Sequence, residues 1–130
     1  MANDLTSRTL QFGSGGQWTL GKNLDRTTPV GPVLGVLGDG ETISGRQIRC
    51  FVNEEERQNA STSHMILSSG SIIECLSKFF MLRPGDVVLT GTPAGTSMGL
   101  PEVPYLNDGD VVRVECDGLG AMESTIRSQG

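Results

Sequence analysis

The chain has 130 residues, of which 18 are glycine, and charged residues make up only 19% of it. This composition excludes a disordered tail, a collagen-like chain and an all-helical bundle. Ten Lys and Arg stand against fifteen Asp and Glu, which gives a net charge of −5 and no basic stripe for a nucleic acid. Only Lys22 and Lys78 are lysines, and no apolar run approaches the roughly 20 residues of a membrane span, so we expect no membrane partner.

The first half of the chain predicts one hairpin and one helix. Glycine and proline punctuate residues 11–45, which indicates loops. Residues 47–52 alternate in the manner of a strand, and Asn53-Glu54 could turn the chain back toward Arg57 as a hairpin. From Ser69 or Ser71 onward, apolar residues fall at helical spacing behind a serine N-cap. These residues are Ile72, Ile73, Leu76, Phe79 and Phe80.

The second half predicts strands separated by tight turns. A turn at residues 83–86 precedes the apolar run 87–89, which is typical of a buried strand, and a glycine- and proline-rich loop follows it. After a turn at residues 107–110, residues 111–116 alternate as a half-buried strand, and a last strand is predicted near 122–126. Four to six strands and one clear helix make an α+β, mainly β fold.

Few side chains of this sequence suggest chemistry by themselves. Lys22 stands among glycines and apolar residues beside Trp18, so it could bind an anionic substrate or have a shifted pKa, and a plain surface lysine is the alternative. His64, the single histidine, is more typical of a surface residue than of a catalytic base. The three carboxylates of residues 54–56 fit a solvated turn better than a metal site.

Three cysteines, Cys50, Cys75 and Cys116, lie far apart among apolar neighbours. They predict buried, reduced thiols and a cytoplasmic location.

Taken together, the motifs resemble the fumarylacetoacetate hydrolase family along essentially the whole chain. The resemblance begins at residues 3–8, continues through residues 17–22 and 29–32, and closes at Gly109-Asp110-Val111-Val112 and Gly118-Leu119-Gly120. The middle of the chain matches at Val52-Asn53-Glu54 and Arg57-Gln58. The most recognisable run is Leu82-Arg83-Pro84-Gly85-Asp86-Val87-Val88-Leu89-Thr90-Gly91-Thr92-Pro93-Ala94-Gly95.

The resemblance implies a mixed β-roll fold, a homodimer and a divalent cofactor, Mg²⁺ with Mn²⁺ or Ca²⁺ as substitutes. It also implies a metal-dependent hydrolase or lyase that acts on a 2-oxo or 1,3-dicarbonyl acid. Such enzymes hydrolyse acylpyruvates, or decarboxylate, hydrate or isomerise related acids. Magnesium held by oxygen ligands can stabilise the enolate that forms in such reactions.

The resemblance also assigns roles to five residues. Asp4 corresponds to a metal ligand, and Lys22 to a catalytic lysine that faces the developing negative charge. Gln11 corresponds to a second catalytic residue near the substrate. Arg8 and Thr92 correspond to substrate-binding positions.

Two features of the family pattern are absent from these residues, namely the Glu-x-Glu pair that supplies two metal ligands and the His-Glu dyad that acts as a general base. In the family both lie N-terminal to the part that this sequence resembles. We therefore expect residues 1–130 to be one domain, the C-terminal part of the catalytic domain, with a fold and a metal site that are incomplete at the N-terminus. The alternative is a truncated, non-catalytic homologue that binds a 2-oxo acid weakly or works only with a partner chain.

Overall fold

The computed structural model describes residues 1–13, 15–98 and 100–128. Its regular elements are three helices, one turn of 3₁₀-helix at Thr62–His64 and four strands, so the mainly β expectation is confirmed. The β-roll stays a prediction. The helices are α1 Arg8–Gly13, α2 Trp18–Lys22 and α3 Ser69–Ser77, and the strands are β1 Gln47–Val52, β2 Glu55–Ser61, β3 Val111–Cys116 and β4 Gly120–Thr125.

The four strands form one antiparallel sheet in the order β2-β1-β3-β4. The turn between β1 and β2 lies at Asn53 and Glu54, which adopt left-handed φ angles of 50° and 70°. Asn53 also fixes the start of β3, because its side chain accepts a hydrogen bond from the backbone N–H of Val111 and donates one to Asp110. The hairpin predicted from residues 47–57 is confirmed.

One face of β3 provides the buried core of the sheet. Val112, Val114 and Cys116 are buried, whereas Arg113 on the other face is exposed. This arrangement follows from the alternation in the sequence, because successive side chains of a strand point to opposite faces. The turn at residues 107–110 and the strand near 122–126 are also confirmed, with β4 beginning two residues before the predicted start.

Helix α3 begins at Ser69, which is one of the two predicted starts. The Ser68 hydroxyl caps it by accepting a hydrogen bond of 3.1 Å from the Ser71 N–H. The helix ends at Ser77, before Phe79 and Phe80, which are exposed. The prediction that the helix continues to Phe79 and Phe80 is therefore wrong.

Two further expectations are wrong. Residues 87–89 form no strand, and Val87 is exposed, because none of the strands that the structure describes pairs with this run. Of the three cysteines only Cys116 is buried as predicted, because Cys75 is exposed on α3 and Cys50 is half-buried, although all three are free.

In the described ranges, no helix combines the length and the apolar character needed to cross a bilayer.

Candidate functional site

The N-terminal segment is held in an extended conformation that positions Asp4. Backbone hydrogen bonds of 3.0 Å join the Asn3 N–H to Pro29 and the Leu5 N–H to Thr27. Asp4 therefore lies between two residues whose backbone is fixed against residues 27–29. The polar backbone of this segment is satisfied by pairing although no named strand includes it.

Helices α1 and α2 pack closely at Gly21, and this contact fixes the position of the next residue, Lys22. A Cβ atom at Gly21 would lie 2.8 Å from the Cβ of Gln11 and 3.0 Å from the carbonyl oxygen of Ser7. The Gly21 carbonyl accepts a 2.9 Å hydrogen bond from the Ser7 N–H. Only glycine leaves room for this approach of the two backbones.

Lys22 and Asp4 form an ion pair at the rim of an open cavity. Lys22 Nζ lies 2.5 Å from Asp4 Oδ2 and 5.9 Å from the centre of the Trp18 ring. The two charged side chains are 28% and 34% exposed, so both can be reached by a small molecule. The cavity has a volume of about 510 Å³ and is lined by Asp4, Trp18, Thr19, Lys22, Asn23, Thr28 and Leu89.

Arg8 and Gln11 form a second pair, on α1. Arg8 Nη1 donates a 2.6 Å hydrogen bond to Gln11 Oε1. Gln11 is fully buried at 0% exposure, and its Nε2 has no hydrogen-bond partner among the described residues. Neither residue lines the cavity. In this arrangement Gln11 contacts Arg8, and only Arg8 of the two retains exposed surface.

Thr92 lies in the loop after residues 87–89, apart from the other predicted site residues. Its hydroxyl oxygen accepts a 2.8 Å hydrogen bond from Gln58 Nε2, which also donates to the Pro93 carbonyl at 2.8 Å. Leu89, three residues earlier, reaches the cavity, but Thr92 is not among the lining residues. The structure thus joins Asp4 with Lys22 and Arg8 with Gln11, and it leaves Thr92 with Gln58.

Sequence reasoning missed the role of Gln58 and the contribution of Asn23 and Thr28 to the cavity. The sequence marks Gln58 only as part of a family motif, and it contacts Thr92, which lies 34 positions further along the chain. Local periodicity carries no signal for such a contact. Asn23 and Thr28 line the cavity because of the path that the chain takes after α2. In that stretch the Thr27 hydroxyl donates a hydrogen bond to the Leu24 carbonyl.

The remaining polar candidates lie outside this region. His64 is exposed in the 3₁₀ turn, and Glu54 is exposed in the turn between β1 and β2. Residues 54–56 are all exposed, as a solvated turn requires, but only Glu54 lies in the turn and the other two belong to β2.

The cavity offers a hard metal ion one carboxylate, that of Asp4, beside the neutral oxygens of Thr19, Asn23 and Thr28. Mg²⁺ and Ca²⁺ need several oxygen ligands, and Mg²⁺ is usually bound by one or two carboxylates together with substrate oxygens and water. Within residues 1–13, 15–98 and 100–128, no three His, Cys, Asp or Glu side chains come together as a metal site would require. The described residues therefore supply one carboxylate ligand and do not form a complete site.

Comparison with known proteins places these residues in a family. The profile of the fumarylacetoacetate (FAA) hydrolase C-terminal family matches residues 1–127. The mitochondrial oxaloacetate tautomerase fahd2 of Xenopus laevis is 40% identical over 130 residues, which cover 97% of this chain and 40% of the relative. The chain thus spans about two fifths of the length of this curated relative.

Solved structures agree with this assignment. A probable 2-hydroxyhepta-2,4-diene-1,7-dioate isomerase from Mycobacterium abscessus superposes with a TM-score of 0.92 at 33% identity, over 99% of this chain and 49% of the other. The fumarylacetoacetate hydrolase of Exiguobacterium antarcticum superposes with a TM-score of 0.89 at 36% identity, over 98% of this chain and 46% of the other. From the matched residues and these likenesses, the chain belongs to the fumarylacetoacetate hydrolase family and corresponds to its C-terminal part.

Proposed function

We propose that this protein is an enzyme of the hydrolase, lyase or isomerase type that acts on a 2-oxo or 1,3-dicarbonyl acid through an enolate. The keto–enol tautomerisation of oxaloacetate is the reaction that we propose to test first, because a relative at 40% identity is an oxaloacetate tautomerase. This reaction moves one proton between carbon and oxygen and needs no redox cofactor.

The observation that carries the proposal is the position of Lys22. Its ammonium group stands at an open cavity, between the Asp4 carboxylate at 2.5 Å and the face of Trp18. A cation in such a place attracts the carboxylate of a 2-oxo acid. It also lies where it can stabilise the negative charge that grows on the oxo oxygen as the enolate forms.

Asp4 contributes in two ways under this proposal. It holds the Lys22 ammonium in place through a charge-assisted hydrogen bond. It also serves as one ligand of a divalent cation, for which Mg²⁺, Mn²⁺ and Ca²⁺ are the candidates and whose other ligands come from outside the described residues. When bound, such an ion would supply Lewis-acid polarisation of the oxo group.

The other predicted residues do not line the cavity, and we propose that they contact parts of the substrate that extend beyond it. Arg8 offers a second cation for a further carboxylate of the substrate, and Thr92 offers a hydroxyl. Gln11, predicted as catalytic, is proposed to act through Arg8, because it is buried and its carbonyl oxygen accepts the 2.6 Å hydrogen bond from Arg8.

The test is the turnover of oxaloacetate by the protein at its native length, with Mg²⁺ present, for wild type and Lys22→Ala. We expect the variant to lose turnover by a factor of roughly 10²–10³, the range for removal of one group that stabilises an oxyanion. Lys78→Ala is the matched control, since Lys78 is the other lysine and pairs with Glu74 on the surface of α3. Equal rates for Lys22→Ala and wild type, both above the rate without protein, would refute the role of Lys22.

A non-catalytic homologue is the second candidate. It is favoured by the single carboxylate of the cavity and by the lack of a complete metal-ligand group among the described residues. In that case neither wild type nor Lys22→Ala would accelerate the tautomerisation of oxaloacetate above its rate without protein, while wild type alone would bind pyruvate in an NMR titration.

The homodimer implied by the resemblance stays a prediction, as does the cytoplasmic location. The three free cysteines support a reducing compartment.

A further inference from the structure

Gln58 is the one β2 side chain with hydrogen bonds to the loop that contains Thr92, within the part of the chain that the structure describes. Its Nε2 donates one hydrogen bond to the Thr92 hydroxyl oxygen and another to the Pro93 carbonyl, each at 2.8 Å. A carboxamide nitrogen carries two hydrogens, so both are used.

The direction of the first hydrogen bond determines what the Thr92 hydroxyl can do. A threonine hydroxyl has one hydrogen to donate and two lone pairs that accept. Because Gln58 donates to it, the hydroxyl uses a lone pair there and keeps its own hydrogen. Among the described residues no acceptor takes that hydrogen, and Thr92 is exposed.

The backbone around Thr92 is fixed from the same strand. Gly95, with φ of 109°, lies so close to the Arg57 carbonyl oxygen that a Cβ atom there would be 1.8 Å from it. Gln58 itself pairs with Cys50 of β1 in the sheet. The loop is therefore attached to a regular strand at two neighbouring residues, Arg57 and Gln58.

We propose that Gln58 is a positioning residue that makes the Thr92 hydroxyl a hydrogen-bond donor toward the carboxylate of the substrate. This inference rests on the proposed function, in which Thr92 contacts a 2-oxo acid. Glutamine meets the requirement through its amide hydrogens. A glutamate of the same length would accept the hydroxyl hydrogen and turn the lone pairs of Thr92 toward an anionic substrate.

The experiment is a double-mutant cycle on the protein at its native length, with KM and kcat for oxaloacetate as readouts. We expect Gln58→Leu to raise KM about tenfold with little change in kcat, because the Thr92 hydroxyl is no longer oriented to donate to the charged carboxylate of the substrate. In a Thr92→Val background the same substitution should have no further effect, since the hydroxyl on which it acts is gone. Thr92→Ser keeps the hydroxyl and should keep the sensitivity to Gln58→Leu.

Two further variants sharpen the cycle. Gln58→Glu should raise KM more than Gln58→Leu does, because it reverses the hydrogen bond and adds negative charge. Asn59→Leu is the matched control, since Asn59 follows on β2 and its amide bonds to Glu56 instead of the loop. Additive effects of Gln58→Leu and Thr92→Val would overturn the proposal, because a merely structural glutamine would act independently of the hydroxyl.

A second readout separates this inference from the proposed function. The side-chain NH₂ signals of Gln58, followed by NMR without substrate, should shift and exchange faster with solvent in Thr92→Val. Unchanged signals would overturn the Gln58–Thr92 unit whatever the enzyme does. If the signals change but Thr92→Val leaves KM unaltered, the unit exists and the substrate contact of Thr92 is refuted, which overturns the proposal as well.

Discussion

The sheet and the segment of residues 79–98 both contain apolar runs, but only the sheet buries them. Val114 of β3 is 5% exposed, whereas Val87 in the middle of the segment is 69% exposed. Both valines have high strand propensity. The difference lies in pairing, since β3 has β1 on one side and β4 on the other, while residues 79–98 contain no helix or strand.

A run of residues with high strand propensity therefore forms a strand only where another strand pairs with it. The backbone N–H and C=O groups of a strand must be paired or solvated, and a lone run of valines leaves them in water. β1 and β2 pair across a two-residue turn, and β3 and β4 pair across a short one, so their partners are close in the sequence. The segment has side-chain hydrogen bonds instead, among them those from Gln58 to Thr92 and Pro93.

The largest expected difference between the two regions comes from the same substitution, valine to aspartate, made once in each. Val114→Asp places a charge in the core of the sheet and should lower the free energy of unfolding by more than about 4 kcal/mol, because the carboxylate has no partner there. Val87→Asp should change it by less than about 0.5 kcal/mol, as is usual for exposed sites. Urea denaturation followed by circular dichroism measures both values.

Val114→Asp could fail to fold, and an unfolded spectrum without urea would count as the expected large effect. Val114→Ala then provides the graded version, with a loss of about 2 kcal/mol. Similar urea midpoints for Val114→Asp and Val87→Asp would show that the two regions are equally ordered and would contradict the comparison.

Much of the sheet was predictable because its signals are local. The alternation in residues 111–116, the turn residues Asn53 and Gly109, and the serine cap of α3 each depend on neighbours within a few positions. The strand predicted at residues 87–89 is wrong for the opposite reason, because its formation depends on residues far away in the sequence. A short apolar run predicts a buried strand only if another strand pairs with it, and nothing within the run tells which residues do so.

The candidate site was predictable by resemblance and only weakly from its own residues. The sequence indicates Lys22 as a candidate because it is a lone cation beside Trp18. Nothing in the spacing of Asp4 and Lys22, which are 18 positions apart, predicts that they form an ion pair. Helix α2, which positions Lys22, has five residues and was not predicted. The close contact of Gly21 with Gln11 is likewise a tertiary feature.

The attachment of the loop to β2 is tested next, with two glycines of similar conformation. Gly95→Ala and Gly91→Ala both place a side chain at a positive φ, 109° and 96°, and each should lose about 1–2 kcal/mol for backbone strain. Gly91 has open space around it, whereas an alanine Cβ at Gly95 meets the Arg57 carbonyl oxygen at 1.8 Å. The loop should therefore separate from β2 in Gly95→Ala alone.

The measurement is the urea midpoint of each variant together with the Gln58 side-chain signals in NMR. We expect both variants to be less stable and only Gly95→Ala to change the Gln58 signals. If the two variants behave alike, the loop is not attached through Gly95, and the contact between residues 95 and 57 has no role in placing Thr92.

The smallest expected effect concerns the cysteines, of which two lie in the sheet and one lies outside it on α3, and it needs no substitution. Cys75 is exposed on α3, Cys50 is half-buried in β1 and Cys116 is buried in β3. Burial raises the pKa of the Cys50 thiol, and the nearby Arg57 charge opposes this only in part, so less of the reactive thiolate is present. We expect iodoacetamide to label Cys75 first, Cys50 more slowly and Cys116 only as the sheet opens, as measured by mass spectrometry of the labelled peptides. Labelling in urea should make the three rates similar, which controls for differences in local sequence. If Cys116 reacts as fast as Cys75 without urea, the sheet does not provide the protected core on which the comparison rests.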